Sequence, residues 1–187
     1  MTMTNDHATD DAWRTITNPL SGETITFVET AEESNGSRVV MHIAVAPGGG
    51  PAPHAHGKQT EVFEGLEGTM ELQLGPRRLN LGPGETATVS PGTLHGFRNR
   101  TDASATVRVI ASPAANIEWG LRATFYMMRE GLLRRRPLVG ALLLQQGDVY
   151  LPPMPRWLYW LLVGTLARIA QWTGGERVLA RYGARPK

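Results

Sequence analysis

Two short stretches of this 187-residue chain hold side chains able to grip a metal ion. PHAHGKQTE carries His54, His56 and Glu61, and SPGTLHGFRN carries His95. On a strand, residues two apart share a face, so His54 and His56 can aim both imidazoles at one point from backbone positions about 7 Å apart. A turn through Gly57, Lys58 and Gln59 would bring Glu61 back on the neighbouring strand, and His95, one hairpin later, would close the set. Three imidazoles and a carboxylate form an N3O donor set suited to Fe, Mn, Co, Ni, Cu or Zn rather than to Ca or Mg. Four protein ligands leave about two positions open in an octahedral site. A redox-active ion would then serve oxidative ring or C–C cleavage, and a redox-silent one isomerisation or decarboxylation. Glu61 is also the candidate catalytic base. Glu67 shares its strand parity and is the next carboxylate in line, although a solvated glutamate is the plainer reading of it. A lone histidine is usually a hydrogen-bonded structural residue, and His7 and His42 read that way.

Between residues 24 and 113, runs rich in Val, Ile, Thr and Phe alternate with Gly, Pro and Asn breaks, the pattern of many short antiparallel strands. Strands are expected at 24–30, 38–46, 61–66, 69–74, 77–81, 85–90, 93–98 and 105–111. Eight such strands fit a jelly-roll barrel. After Pro113 the period lengthens: Ile117, Leu121, Phe125, Met128 and Leu132 recur every three or four residues, an amphipathic helix with Glu118, Arg122 and Arg129 off its apolar stripe. A breaker-rich linker over 145–155 leads to a second helix over 156–172, which Gly174 and Gly175 terminate, and 176–182 could add a final turn.

The residue order resembles the two motifs of the cupin superfamily. The first runs Gly48, five residues, His54, Ala55, His56, four residues, Glu61, six residues, Gly68. The second runs Gly84, five residues, Ser90, Pro91, Gly92, two residues, His95, three residues, Asn99. Ser90 stands where the motif has a proline, a change in a turn and not at a ligand. The resemblance covers roughly residues 35–112, and the 15 residues between Gly68 and Gly84 call for a compact hairpin. It implies a single conserved-barrel fold, mostly β, with His54, His56, Glu61 and His95 holding one metal inside the barrel. It names no reaction, since one fold hosts many chemistries. The glycines Gly48, Gly49 and Gly50 belong to a turn. A phosphate-binding P-loop would need glycine where Ala52 stands and Ser or Thr where Gln59 stands.

If Glu61 and His95 point inward, alternation puts Phe63 and Phe97 on the same face, and Met41, Ile43, Met70 and Leu72 become the natural inward residues of neighbouring strands. These six are the expected substrate pocket, with simple core packing as the competing reading. No fixed cation is apparent near them. That favours a small, mostly apolar or aromatic molecule bearing one or two metal-binding oxygens.

The chain divides by charge. Residues 1–118 carry 14 acidic and 8 basic side chains, whereas residues 119–187 carry 3 and 11 and hold nine of the 13 aromatics. The expected layout is a flexible N-terminus (1–14), a β-barrel (15–115) and an α-helical extension (116–187), with body and tail drawn together by charge. The apolar segment WLYWLLVGTLARIAQW of the tail is shorter than the ~20 residues of a transmembrane span. It would pack on its own barrel or across a homodimer, lie on an anionic membrane surface, or lid the barrel. Arg134, Arg135 and Arg136 form no nucleic-acid motif and read as a solvated helix end. The absence of cysteine and the polar, acidic MTMTNDHATDD segment lead us to expect a cytoplasmic protein. The overall expectation is a metal-dependent, dioxygenase-like enzyme. A non-catalytic ligand-binding or sensory protein and a metal-dependent isomerase or decarboxylase are the rival readings.

Overall fold

The computed structural model describes residues 12–18 and 20–181; His7, Tyr182 and most of the expected flexible N-terminus lie outside them. In chain order come β1 (Thr15–Asn18), β2 (Glu23–Glu29), β3 (Val39–Val45), β4 (Ala55–His56), β5 (Thr60–Glu67), β6 (Met70–Leu74), β7 (Arg77–Leu81), β8 (Thr86–Val89), β9 (His95–Arg98) and β10 (Ala105–Ser112). They are followed by α1 (Ile117–Arg129), α2 (Leu132–Arg135), α3 (Pro137–Gln146), β11 (Val149–Tyr150), α4 (Arg156–Trp172) and α5 (Gly175–Leu179). The fold is mostly antiparallel β, a jelly roll with its helices at the C-terminal side. One sheet has the order β1-β2-β3-β10-β5-β8, a second the order β7-β6-β9, and β11 pairs with β4.

Period-two sequence patterning produces this arrangement directly. Along β3 and β10, buried and half-buried residues alternate without a break. The buried set from the large sheet, including Phe27, Met41, Ile43, Phe63, Val107 and Val109, forms one core with Met70, Leu72 and Phe97 of the small sheet. Each large side chain removed from water in this way contributes about 1.5–3 kcal/mol. The eight expected strands all occur, with ends shifted by a residue or two. β9 starts at His95 because the chain before it is a turn, closed by the Thr93 N–H donating to the Ser90 carbonyl at 3.1 Å. β1 and β11 were not anticipated, whereas β4 is what remains of the strand on which His54 and His56 were expected.

The helical region differs more from expectation. α1 has two buried faces: Ile117 and Phe125 join the β core, while Ala123 and Met127 enter a second core with Val139, Leu142, Leu143, Ala167, Ala170 and Leu179. Met128 lies half-buried beside Asn18, whose Nδ2 is 3.3 Å from the Met128 sulfur. Arg122, expected off the apolar stripe, is buried. It pairs with Glu118 at 3.0 Å, donates to the Trp13 carbonyl at 2.6 Å and lies 4.3 Å over the Phe27 ring. Glu118 in turn accepts from the Ala31 N–H at 3.1 Å, so the pair binds α1 to the body. α3 escaped sequence reading because PLVGALLLQQ is apolar nearly all round and shows no helical stripe. In α4, Tyr159, Val163, Ala167 and Ala170 are buried, whereas Trp157, Leu161, Ile169 and Trp172 are exposed, so this helix is not buried on all sides. Among the described residues no helix is long and apolar enough to cross a membrane.

The expected attraction between acidic body and basic tail takes another form. Ion pairs such as Arg14–Glu33, Arg38–Glu29 and Arg108–Glu64 lie within the body. Among the described residues, tail arginines also reach the body at backbone carbonyls, Arg122 at Trp13 and Arg156 at Gly92. Removing Arg122 would leave Glu118 partly buried without its cation and strip packing from Phe27. Arg122→Ala is therefore expected to lower the unfolding free energy by about 3 kcal/mol, measured by urea denaturation.

Candidate metal centre

Backbone hydrogen bonds assemble the four candidate ligands before any side chain contributes. The His54 N–H donates to the His95 carbonyl and the His95 N–H to the His54 carbonyl, both at 2.8 Å. The His56 carbonyl accepts from the Gly92 N–H at 2.7 Å, which ties the turn of the second motif to the strand of the first. Glu61 lies on β5 between Ala111 of β10 and Val89 of β8, while His95 lies opposite Leu74 of β6. The group thus bridges the two sheets. Gly50 allows the preceding loop to lie this close: its φ of +129° suits glycine, and a Cβ would run into the Phe97 carbonyl oxygen.

The three imidazoles converge. Ring centroids are 5.0 Å apart for His54–His56, 4.5 Å for His54–His95 and 5.7 Å for His56–His95, and one ligand nitrogen from each ring lies within 4.8 Å of the others. His54, His56 and His95 therefore form a group that could hold a metal ion. The His54 Nδ1–H donates to the Ala52 carbonyl at 2.9 Å and the His95 Nδ1–H to the Thr93 carbonyl at 3.0 Å. A carbonyl only accepts, so both protons sit on Nδ1 and both Nε2 lone pairs are left for a cation.

Glu61 completes the arrangement. Its Oε2 is 2.7 Å from His95 Nε2 and its Oε1 is 3.9 Å from His56 Nε2. Yet Glu61 Oε2 and His95 Nε2 are both buried without a well-formed hydrogen bond. This close N···O contact, with further N and O donors around it, fits a shared divalent transition metal that would displace the proton His95 holds in its absence.

Electrostatics sort the four groups. Burial lowers His54 to about 4, aided by the neighbouring His95 and His56. Burial also lowers His56, with Glu61 and Asp148 opposing it. Burial alone would lower His95, but its contact with Glu61 and the Glu61 charge outweigh that and raise it. For Glu61, burial pushes the carboxyl up while the contact with His95 and the three imidazoles hold it below its usual range.

The remaining expected residues fall as follows. Phe63, Phe97, Met41, Ile43, Met70 and Leu72 all belong to the β core. The Phe63 ring stands 6.2 Å from His95 and 5.8 Å from Phe97, so the inner flank of the group is aromatic. Glu67 is exposed at the end of β5, and His42 is half-buried on β3 beside Arg108 and Glu64. On the outer flank a cleft of about 30 Å³ is lined by His56, Gly92, Tyr150, Arg156 and Trp160 among others. Three of these come from the tail, for which the sequence alone leaves packing on the barrel, a membrane contact and a lid all open. The folded-back tail brings Arg156 to this cleft, over the Tyr150 ring at 5.2 Å. The one available signal was Asp148, the sole charged residue of the breaker-rich linker over 145–155.

A family model described as a cupin domain matches residues 41–111. No curated protein matches the sequence. Among solved structures, the chain is similar to a sugar phosphate isomerase from a cupin superfamily of Silicibacter pomeroyi, with 26% identity and a TM-score of 0.45 over 50% of this chain and 61% of that one. The match thus spans less than two thirds of that protein. It is also similar to a polyketide cyclase from Streptomyces resistomycificus, with 26% identity and a TM-score of 0.48 over 59% and 80% of the chains. A predicted oxalate decarboxylase from Thermotoga maritima gives 15% identity and a TM-score of 0.46 over 49% and 80%.

The electrostatic ordering has a measurable consequence for metal uptake. Near pH 6, His95 retains a proton in the metal-free protein, whereas His54 and Glu61 are already deprotonated. Uptake is expected to release about one proton per metal at that pH. Affinity should fall about tenfold per pH unit on acidification, and more steeply near pH 4 where His54 protonates as well. Calorimetric titration in two buffers of different ionisation enthalpy counts the protons; three released near pH 6 would contradict the ordering.

Proposed function

We propose that this chain, whose residues 41–111 match a family model described as a cupin domain, is a metal-dependent, dioxygenase-like enzyme acting on a small, mostly apolar or aromatic molecule that bears oxygen ligands. The observation that carries the reading is the buried convergence of His54, His56 and His95 with Glu61 against the Phe63–Phe97 flank. The four residues hold one divalent transition metal, with Fe, Mn, Ni, Zn, Co and Cu all compatible with the donor set. Such a metal supplies a Lewis-acidic centre and, where redox-active, a source of electrons.

The chain's own groups do the rest. His54 and His95 present Nε2 because their Nδ1 protons are held by carbonyls. Glu61, kept ionised by its histidine neighbours, is the candidate catalytic base, with Oε1 the freer of its two oxygens to accept a substrate proton. Phe63 and Phe97 keep water from the inner side. The barrel runs over 15–115 and the helical extension over 116–187, a homodimer covers the exposed face of α4, and the cysteine-free composition suits the cytoplasm.

A second reading, a ligand-binding or sensory protein without turnover, is favoured by the way β11 lies along β4 beside a small cleft at His56. Oxygen uptake by the Fe(II)-loaded protein across enols and catechols separates the two. Turnover is expected and should be lost in His56→Ala, whereas tight binding of a small acid without turnover would favour the second reading. Metal analysis of protein purified without chelators comes first: about one transition metal per chain is expected, with a melting temperature that rises on loading. No bound metal and no such rise would defeat the metal site. Light scattering is expected to show a dimer.

A further inference from the structure

The C-terminal extension returns to the metal group and brings a carboxylate with it. Beyond α3 the chain pairs with β4, placing Val149 opposite His56 and Tyr150 opposite Ala55. This strap is held from its far side. The Tyr159 hydroxyl donates to the Val149 carbonyl at 2.9 Å, the Tyr150 and Tyr159 rings meet at 5.0 Å, and the Arg156 guanidinium donates to the Gly92 carbonyl.

The residue that turns the chain into this strap is Asp148, at φ +52°, a region that residues other than glycine enter uncommonly. Its Oδ2 is buried and has no hydrogen-bond partner among the described residues. The carboxylate occupies the space beside Gly57: a Cβ there would stand 2.9 Å from Oδ2 and 3.0 Å from Oδ1. His56 is near enough to feel the Asp148 charge, and its Nδ1 is also buried without a well-formed hydrogen bond, although the Gly147 backbone raises its basicity. A half-buried carboxylate with one oxygen both buried and idle is unfavourable unless something positive compensates it. An imidazole that donates its lone pair to a cation becomes that compensating group, because its ring gains positive character.

We propose that Asp148 is a positioning residue for the metal group, its carboxylate steadying the His56 imidazole, so that docking of the C-terminal strap and metal binding form one coupled equilibrium. This rests on reading His54, His56, Glu61 and His95 as metal ligands. Carboxylates that orient ligand imidazoles raise their basicity, and losing one weakens metal affinity by about 10–100-fold. Coupling is reciprocal, so metal must also tighten the strap.

The test uses the full chain and cobalt(II) as the probe. Asp148→Asn is expected to bind Co(II) at least about 10-fold more weakly than the parent and to shift its visible absorption bands, with the metal-free melting temperature unchanged. Gly57→Ala, at a residue without positive φ, should displace the carboxylate and weaken binding too. In an Asp148→Ala background, Gly57→Ala should add nothing, since the group it displaces is gone. Hydrogen exchange at the Val149 and Tyr150 amides should slow on metal loading in the parent and not in Asp148→Asn. An Asp148→Asn protein with the parent's affinity and spectrum would overturn the proposal while leaving the metal site standing. Equal loss of stability with and without metal would assign Asp148 a merely structural role and overturn it as well. A parent protein that takes up no Co(II) would remove the metal site itself.

Discussion

The reciprocal hydrogen bonds between the backbones of His54 and His95 are the constraint on which the centre depends. They clasp two segments about 40 residues apart, and both residues at the clasp carry imidazoles. Because the clasp is made by main-chain atoms, it forms whatever the side chains are, and the imidazoles inherit their mutual distance from it. Glu61 is placed independently, by its register between β10 and β8. The close approach of Glu61 Oε2 to His95 Nε2 therefore arises where two separately fixed pieces of backbone meet. Neither segment can relax away from it without giving up ladder hydrogen bonds, so the group is held rigid before anything binds.

Burial and charge then oppose each other residue by residue. Removing water disfavours the charged form of every group in the cluster. Only the pair in direct contact, His95 and Glu61, escapes that trend, one raised and the other lowered. His54, which lacks such a contact, stays neutral well into the acid range. A neutral imidazole and an ionised carboxylate are the forms a metal needs, and the protein maintains most of them without one. Beyond this centre lie an aromatic interior on one side and the tail strap on the other.

Much of the β fold could be read from the sequence because period-two alternation in β3, β5 and β10 corresponds directly to burial. The candidate ligands were legible for a different reason: the spacings within PHAHGKQTE and SPGTLHGFRN resemble a known pair of motifs, although His95 meets His54 only through a pairing of segments about 40 residues apart. What escaped reading was non-local or without period. α3 is apolar on every side and so has no stripe to detect. Arg122 was placed in solvent because a single buried face was assumed for α1, whereas the helix lies between two cores. Asp148, Tyr150 and Arg156 reach His56 only through a tertiary return of the tail, and a two-residue strand such as β11 leaves no pattern in composition or spacing. Charge asymmetry pointed to docking but not to its means, since Arg122 and Arg156 each donate to a backbone carbonyl of the body.

The double-faced character of α1 bears on what counts as a unit in this protein. Ile117 and Phe125 close the β core from outside the stretch that matches the cupin model, which ends at residue 111. Ala123 and Met127, one turn away, seed the second core. A protein trimmed to the recognisable motif would leave an open seam along its own interior, and the helices removed with the tail would lose the wall they pack against. The segment that family resemblance delimits is thus smaller than the segment that must fold together. Heredity and cooperativity draw different borders on the same chain, and α1 lies across both.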